Sequence, residues 1–230
     1  MTWPNVLDED DTLDLLLQGR SIARFGDGEF RLLEGNAAIA QEWSPKLQGR
    51  LHHVLRHRND RCLVGIPRMD VGPKKGFWSS YKRMEKALDK NGQYYSAFIT
   101  RPDSATWIDR PDYWKKIRRL WEGKAVTLVR GTDKSLTADI MPEALHVHEI
   151  IAPARNAWSN YDAIMEEIYI DYQDLVILCL GPAATVMAES LSGVGRQALD
   201  LGHLGMFLRK HLRGEPMAVT EADKAVDRVQ

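Results

Sequence analysis

The chain holds 230 residues (26.2 kDa), of which 44% are hydrophobic and 27% charged, enough for one sizeable domain whose core needs no disulfide or metal staple. A formal net charge of −1 excludes a nucleic-acid binder that works through a broad basic surface, while leaving room for a local basic pocket around one anion. No apolar run approaches the roughly 20 residues that span a bilayer, and the acidic start MTWPNVLDEDD lacks the apolar centre of a signal peptide.

Short apolar runs alternate with amphipathic stretches, the pattern of an α/β fold with a mostly parallel sheet flanked by helices. Asp11 to Leu17 reads as a first helix, capped by Asp11 or Thr12 and stopped at Gly19, and Ser21 to Phe25 as the first strand. In Pro45 to His57 the residues Leu47, Leu51, Val54 and Leu55 share one helical face, and Cys62 to Ile66 is the second strand. Trp78 to Leu88 is expected to be helical, Tyr95 to Thr100 extended and Tyr113 to Trp121 helical again. Strands follow at Ala125 to Val129 and Val147 to Ile151, then a helix with the stripe Tyr161, Ile164, Met165, Ile168, Tyr172. Leu175 to Leu180 is the most hydrophobic run and is expected at the centre of the sheet, since a strand covered on both faces reads as unbroken apolar sequence. Ala183 to Leu191, Gln197 to Leu201 and Leu204 to Leu212 complete the series as helix, strand and helix. Residues 1–213 thus form one domain, and from Gly214 onward the polar, weakly periodic sequence predicts a tail or a loosely docked helix. Cys62 and Cys179 lie inside apolar runs and read as buried thiols of a reducing compartment, which places the chain in the cytoplasm, free or peripheral to the inner face of the membrane.

Polar and small residues collect after the apolar runs. Arg24, Gly26, Asp27, Gly28 and Glu29 follow the first strand in the hexapeptide RFGDGE. Arg130 to Asp133 follow the strand ending at Val129, Pro153-Ala154-Arg155-Asn156 the one ending at Ile151, Gly181-Pro182-Ala183-Ala184-Thr185 the most apolar one, and Asp200-Leu201-Gly202-His203 the last. In an open parallel sheet these loops meet on one rim, where ligands of such folds bind. Asp27 and Glu29 beside glycines suit a hard cation such as Mg2+ or Mn2+, which commonly brings a substrate phosphate with it. The competing reading is a plain helix start, with Asp27 as cap and Glu29 in the first turn. Gly181 and Pro182 would expose helix-start amides to an anion, and Arg24 and Arg155 would supply guanidinium contacts to phosphate oxygens. His53 and His57 share i, i+4 spacing without an HExxH pattern, and read as a solvated face; His146 and His148 lack an evident third ligand. Trp158 and Tyr161 could stack on a base, with core packing as the alternative. The GxSxG, GxxxxGK[ST] and GxGxxG motifs are all missing.

Four segments in order, SIARFGDGEF, SAFITRPDS, IIAPARNAWSNYDAI and LVILCLGPAATVMAESLSGVGRQALDLGHL, resemble the GT-D-type glycosyltransferases, bacterial enzymes first catalogued as a domain of unknown function. The resemblance runs from about Ser21 to Leu208 and implies a single Rossmann-like domain. It implies transfer of a sugar from a nucleotide donor, typically a UDP-sugar, to a glycan, glycolipid or glycoprotein acceptor. The family's acidic D-x-E element, which binds a divalent metal with the diphosphate of the nucleotide, falls on Asp27 and Glu29. Its Pro-Ala-basic-Asn-Ala element falls on Pro153 to Ala157 and its Gly-Pro-x-Ala-Thr element on Gly181 to Thr185, whereas Arg130 to Asp139 departs from the family pattern. Asp200, His203 and Asp103 are the candidates for taking the acceptor's proton. Two other classes fit the same acids: a metal-dependent phosphoesterase or nuclease, and a non-catalytic nucleotide-binding module.

Overall fold

Eight strands, every neighbouring pair parallel, form one sheet in the computed structural model, which describes residues 4–57, 59–68, 85, 87–103, 112–132, 134–221 and 223. In chain order the strands are β1 (Asn5–Val6), β2 (Ser21–Arg24), β3 (Cys62–Ile66), β4 (Gln93–Ser96), β5 (Ala125–Arg130), β6 (His146–Ile151), β7 (Leu175–Cys179) and β8 (Gln197–Asp200). The helices among the described residues are α1 (Glu9–Leu17), α2 (Asp27–Leu33), α3 (Pro45–Arg56), α4 (Tyr113–Arg119), α5 (Tyr161–Ile170), α6 (Pro182–Gly193) and α7 (Leu204–Leu212). The spatial order is β1-β4-β3-β2-β8-β7-β5-β6. One core packs α2, α3, α5 and α6 on one face, and a second packs α1, α4 and α7 on the other.

All five residues of β3 and all five of β7 are buried, as two covered faces require. β7 nevertheless stands sixth, and the two middle places go to β2 and β8. An unbroken apolar run reports burial on both faces, not rank in the sheet.

Three local expectations shift. Helix α1 starts earlier, at Glu9: Asp8 accepts the Asp11 N–H at 2.9 Å, while Thr12 Oγ1 is turned back to the Asp8 carbonyl and accepts from Ser96 N–H at 3.1 Å. The extended stretch expected over Tyr95 to Thr100 ends at Ser96, whose hydroxyl accepts from Phe98 N–H at 3.1 Å and turns the chain into a 3-10 helix, Ala97–Thr100. The edge pairing of β1 with β4 was not foreseen, because two residues carry no periodicity. The expected helix over Trp78 to Leu88 lies outside the described residues but for Glu85, Ala87 and Leu88. Beyond Gly214 the chain is tied back, with Lys210 Nζ donating to the Ala218 carbonyl at 2.7 Å and to Asp223 at 2.6 Å. No helix among the described residues is long and apolar enough to cross a membrane.

Candidate functional site

Helix α2 follows β2 onto one face of the sheet, and α7 follows β8 onto the opposite face. Since β2 and β8 are neighbours, their carboxyl ends open a crevice where the connections part, the place at which parallel α/β sheets bind ligands.

The floor of that crevice is Arg24 and Asp200, the last residues of the two strands. Arg24 donates from Nε to the Asp200 carbonyl, from Nη2 to Asp200 Oδ1 at 3.1 Å, and from Nη1 to the Ala97 carbonyl at 3.1 Å and to Thr100 Oγ1. Its main-chain N–H donates to Asp200 Oδ2 at 3.2 Å, and Thr185 Oγ1 donates to the Arg24 carbonyl at 2.9 Å and to Asp200 Oδ2 at 3.4 Å. Sequence reasoning set Arg24 and Thr185 toward a bound nucleotide and Asp200 toward an acceptor. In the structure all three turn to one another, with the Arg24 and Asp200 side chains only 13% and 5% exposed. Burial raises the Asp200 pKa, and Arg24 is the principal counterweight that holds it down. Gly202 lies against this clamp at φ +49°, where a Cβ would come within 2.6 Å of Arg24 Nη2, so any other residue there would strain the backbone and push on the guanidinium.

One wall carries the acids. Asp27 is exposed at the first position of α2, and Glu29 is buried two residues on. Glu29 Oε2 accepts the Gly26 N–H at 2.6 Å, a cap made from the third helical position. Burial, then the charge of Asp200, then that of Asp27 push the Glu29 pKa up to about 7. A Cβ on Gly28 would lie 3.5 Å from Pro182 Cγ, so the acidic turn and the Gly181-Pro182 corner stand side by side. Gly181 is exposed at φ +57°, a conformation open to glycine, and α6 begins directly behind it with Pro182 in its first turn.

Arg155 and Asn156 reach the same wall through a connector that sequence reasoning passed over, residues 36–42 between α2 and α3. Asn156, the one described non-glycine residue at positive φ (+55°), donates its N–H to the Ala40 carbonyl at 2.8 Å and accepts the Glu42 N–H on Oδ1 at 2.7 Å. Arg155 Nη2 donates to the Ile39 carbonyl at 3.0 Å, and Gln41, 4% exposed, accepts from Trp158 N–H at 3.1 Å. The connector returns to the acids at Ala38, whose Cβ lies 3.6 Å from the position a Gly28 Cβ would take. No periodicity in GNAAIAQEW signals this strap, and the partners that tie it to the Pro153 to Trp158 segment lie more than 100 residues away.

The other wall is formed by the head of α7 and the turn after β4. His203 is exposed at the start of α7, and Arg101 holds Asp103 through two hydrogen bonds of 2.8 and 2.7 Å. Trp158 packs on Tyr161 with ring centroids 4.9 Å apart and is 9% exposed, which makes the pair part of the core. Arg130 pairs with Glu149 at 2.7 Å, and Asp133 lies outside the described residues. His53 and His57 stack on each other, and His146 and His148 stand at the amino end of edge strand β6, away from this rim. Cys62 and Cys179 are buried free thiols whose pKa values burial raises to about 12.

The chain is similar to known glycosyltransferases in sequence and in shape. It is 33% identical over 223 residues to a probable glycosyl transferase, Gly, of Streptococcus gordonii (87% of this chain, 32% of that protein). It is 28% identical over 216 residues to glycosyltransferase GlyD of Streptococcus pneumoniae serotype 4 (85% of this chain, 26% of that protein). It therefore spans about a third or less of the length of these curated relatives. Among solved structures, it superposes with a TM-score of 0.80 at 30% identity on a new glycosyltransferase from Streptococcus sanguinis, covering 92% of this chain and 86% of that one. A second, reported as domain of unknown function 1792 with a distinct glycosyltransferase fold, gives 0.83 at 27% identity (94% and 84%). The sequence model of the family described as glycosyltransferase GT-D fold matches residues 22–227, nearly the whole chain, and the chain belongs to that family.

Proposed function

We propose that this chain transfers a sugar from a nucleotide-sugar donor, a UDP-sugar, to a glycan or glycoconjugate acceptor, with Mn2+ or Mg2+ held at Asp27 and Glu29. The observation that carries this reading is the closeness of the acidic turn to the Gly181-Pro182 corner, where a Cβ on Gly28 would lie 3.5 Å from Pro182 Cγ. It puts two carboxylates and the amino end of a twelve-residue helix beside one another, the pairing that a cation and a diphosphate need.

The residues fit such an ion. Glu29 sits buried with its pKa raised, so a neighbouring cation would relieve the cost of its charge. Two carboxylates fall short of an all-protein cage, which suits a hard cation that keeps waters and phosphate oxygens as its remaining ligands. When bound, the ion supplies positive charge where the nucleoside diphosphate departs. The amides behind Gly181 and the Arg155 guanidinium add fixed positive potential, and Asn156 keeps Arg155 on its strap. His203 stands exposed on the facing wall to take the proton of the acceptor hydroxyl. A two-metal hydrolytic centre would want a third carboxylate, and Asp200, the acid whose charge Glu29 feels most, is committed to Arg24.

Thermal melting tests this directly. UDP should raise the melting temperature only with Mn2+ or Mg2+ present, by an amount equivalent to about 2.7 kcal/mol at a hundred times Kd. Asp27→Ala should remove that shift while costing the unliganded fold no more than the ~1 kcal/mol of a helix cap. A UDP shift without metal, or Asp27→Ala that binds as the parent does, would rule the site out. Release of UDP from a panel of sugar donors, read by mass spectrometry, then identifies the sugar.

A further inference from the structure

Helices α3, α5 and α6 lie on one face of the sheet, and α6 is the recessed one. Every residue of α6 from Pro182 to Ala188 is buried, and only Glu189, Ser190 and Gly193 in its last turns reach the surface. Ser190 Oγ accepts from Arg50 Nη2 of α3 at 2.8 Å and from the Tyr161 hydroxyl of α5 at 2.9 Å, so α6 is the floor between two helical walls. Two hollows of about 500 and 490 Å3 meet at Ser190. Met165, Tyr169 and Ile170 line the first with Asp162 and Glu166, and Arg50, His53 and Val194 line the second with Glu189. Helix α6 starts at the ligand crevice, and this groove flanks its other end.

The groove is apolar where it is most open. Ile170 is 81% exposed, Val194 62% and Tyr169 47%. Large apolar side chains gathered in one concave surface and left in water mark a binding face.

The walls carry opposite charge. Helix α3 holds Lys46, Arg50, His53 and Arg56 and no acid, whereas α5 holds Asp162, Glu166 and Glu167 and no base. Lys46, Arg50 and His53 follow one another at four and three positions, which makes them one stripe, and Asp162 and Glu166 are spaced likewise. The single charge of the floor, Glu189, already faces Arg50 at 3.6 Å. A partner of uniform charge, such as an anionic bilayer, would be repelled by one wall. The same surface turned by half a revolution about an axis through α6 brings each acidic wall to a basic one.

We infer that this groove is a self-association face, on which a second copy of the chain docks by two-fold symmetry with α3 of each copy against α5 of the other. The axis runs across the strands, so the two sheets point in opposite directions and both ligand crevices stay open at the ends of the dimer.

The test is analytical ultracentrifugation over a concentration series of the wild type, Ile170→Asp, Glu166→Lys and Lys46→Glu, with melting curves of each. The wild type should sediment as a dimer that dissociates on dilution. Each substitution should raise the dimer dissociation constant at least ~10-fold, since like charges set against one another across an interface are strongly unfavourable. All three positions are exposed, so the melting temperatures of the dissociated chains should agree. An equal mixture of Glu166→Lys and Lys46→Glu should dimerise again, because in the mixed pair both wall contacts regain opposite charges. A wild type that stays monomeric throughout, a dimer that the substitutions leave unchanged, or two variants that fail to recombine would overturn the assignment.

Discussion

Replacing Asp200 with alanine should cost the fold about 3–5 kcal/mol, the usual consequence of removing one partner of a buried ion pair. Arg24 would be left 13% exposed with two of its acceptors gone, Asp200 Oδ1 and the Oδ2 that receives its main-chain N–H. The carboxylate also receives Thr185, so α6 loses its tie to β8 at the same stroke. For a chain of this size the melting temperature should fall by roughly 6–20 °C, a change that circular dichroism reads easily. Asp200→Asn keeps the shape and should lose less. The double variant Arg24→Met/Asp200→Leu removes the charges together and should recover much of the deficit, because apolar replacements of a whole buried pair are often neutral. If Asp200→Ala melts within two degrees of the parent, the clamp does not organise the crevice.

The second large effect has the opposite sign. Glu29→Gln should stabilise the metal-free protein at pH 8 and abolish metal-dependent nucleotide binding. The Glu29 pKa is raised from the usual 4.5 to about 7, so the folded state favours the protonated acid. Stability tied to this group is present below about pH 4.5 and is lost as the pH climbs through 7. At 1.36 kcal/mol per pK unit the loss is on the order of 3 kcal/mol. Glutamine is neutral at every pH and its side-chain oxygen can still accept the Gly26 N–H, so the variant escapes the penalty. The two melting curves should agree at pH 4 and separate by pH 8, the variant being the higher. Saturating Mn2+ with UDP should close the gap for the wild type alone. A variant less stable than the parent at pH 8 would show that the ionised carboxylate is already compensated within the fold.

Much of this was legible in the residues. The parallel sheet follows from apolar runs bounded by Gly, Pro and polar clusters, and the position of the acidic turn and the Gly181-Pro182 corner after strands sets both on one rim. A Cβ on Gly28 would lie 3.5 Å from Pro182 Cγ, so the two elements do stand side by side. What stayed hidden depends on partners far away in sequence. Arg24 looks like a phosphate ligand until Asp200, Ala97 and Thr100 are seen to surround it. The strap at 36–42 has no pattern of its own and is defined by Arg155, Asn156 and Trp158. Arg101 and Asp103 lie inside the SAFITRPDS segment of the family resemblance, but the sequence does not show that each is the other's partner.

The pairing of β2 with β8 sets the schedule on which the protein becomes competent. Its two strand-end residues are 176 positions apart, and β8 takes its place between β2 and β7, both of which precede it in the chain. During synthesis those two strands therefore wait with bare edges, open to mispairing with other chains. Such long-range closure is slow, and the ligand crevice cannot exist until β8 has left the ribosome.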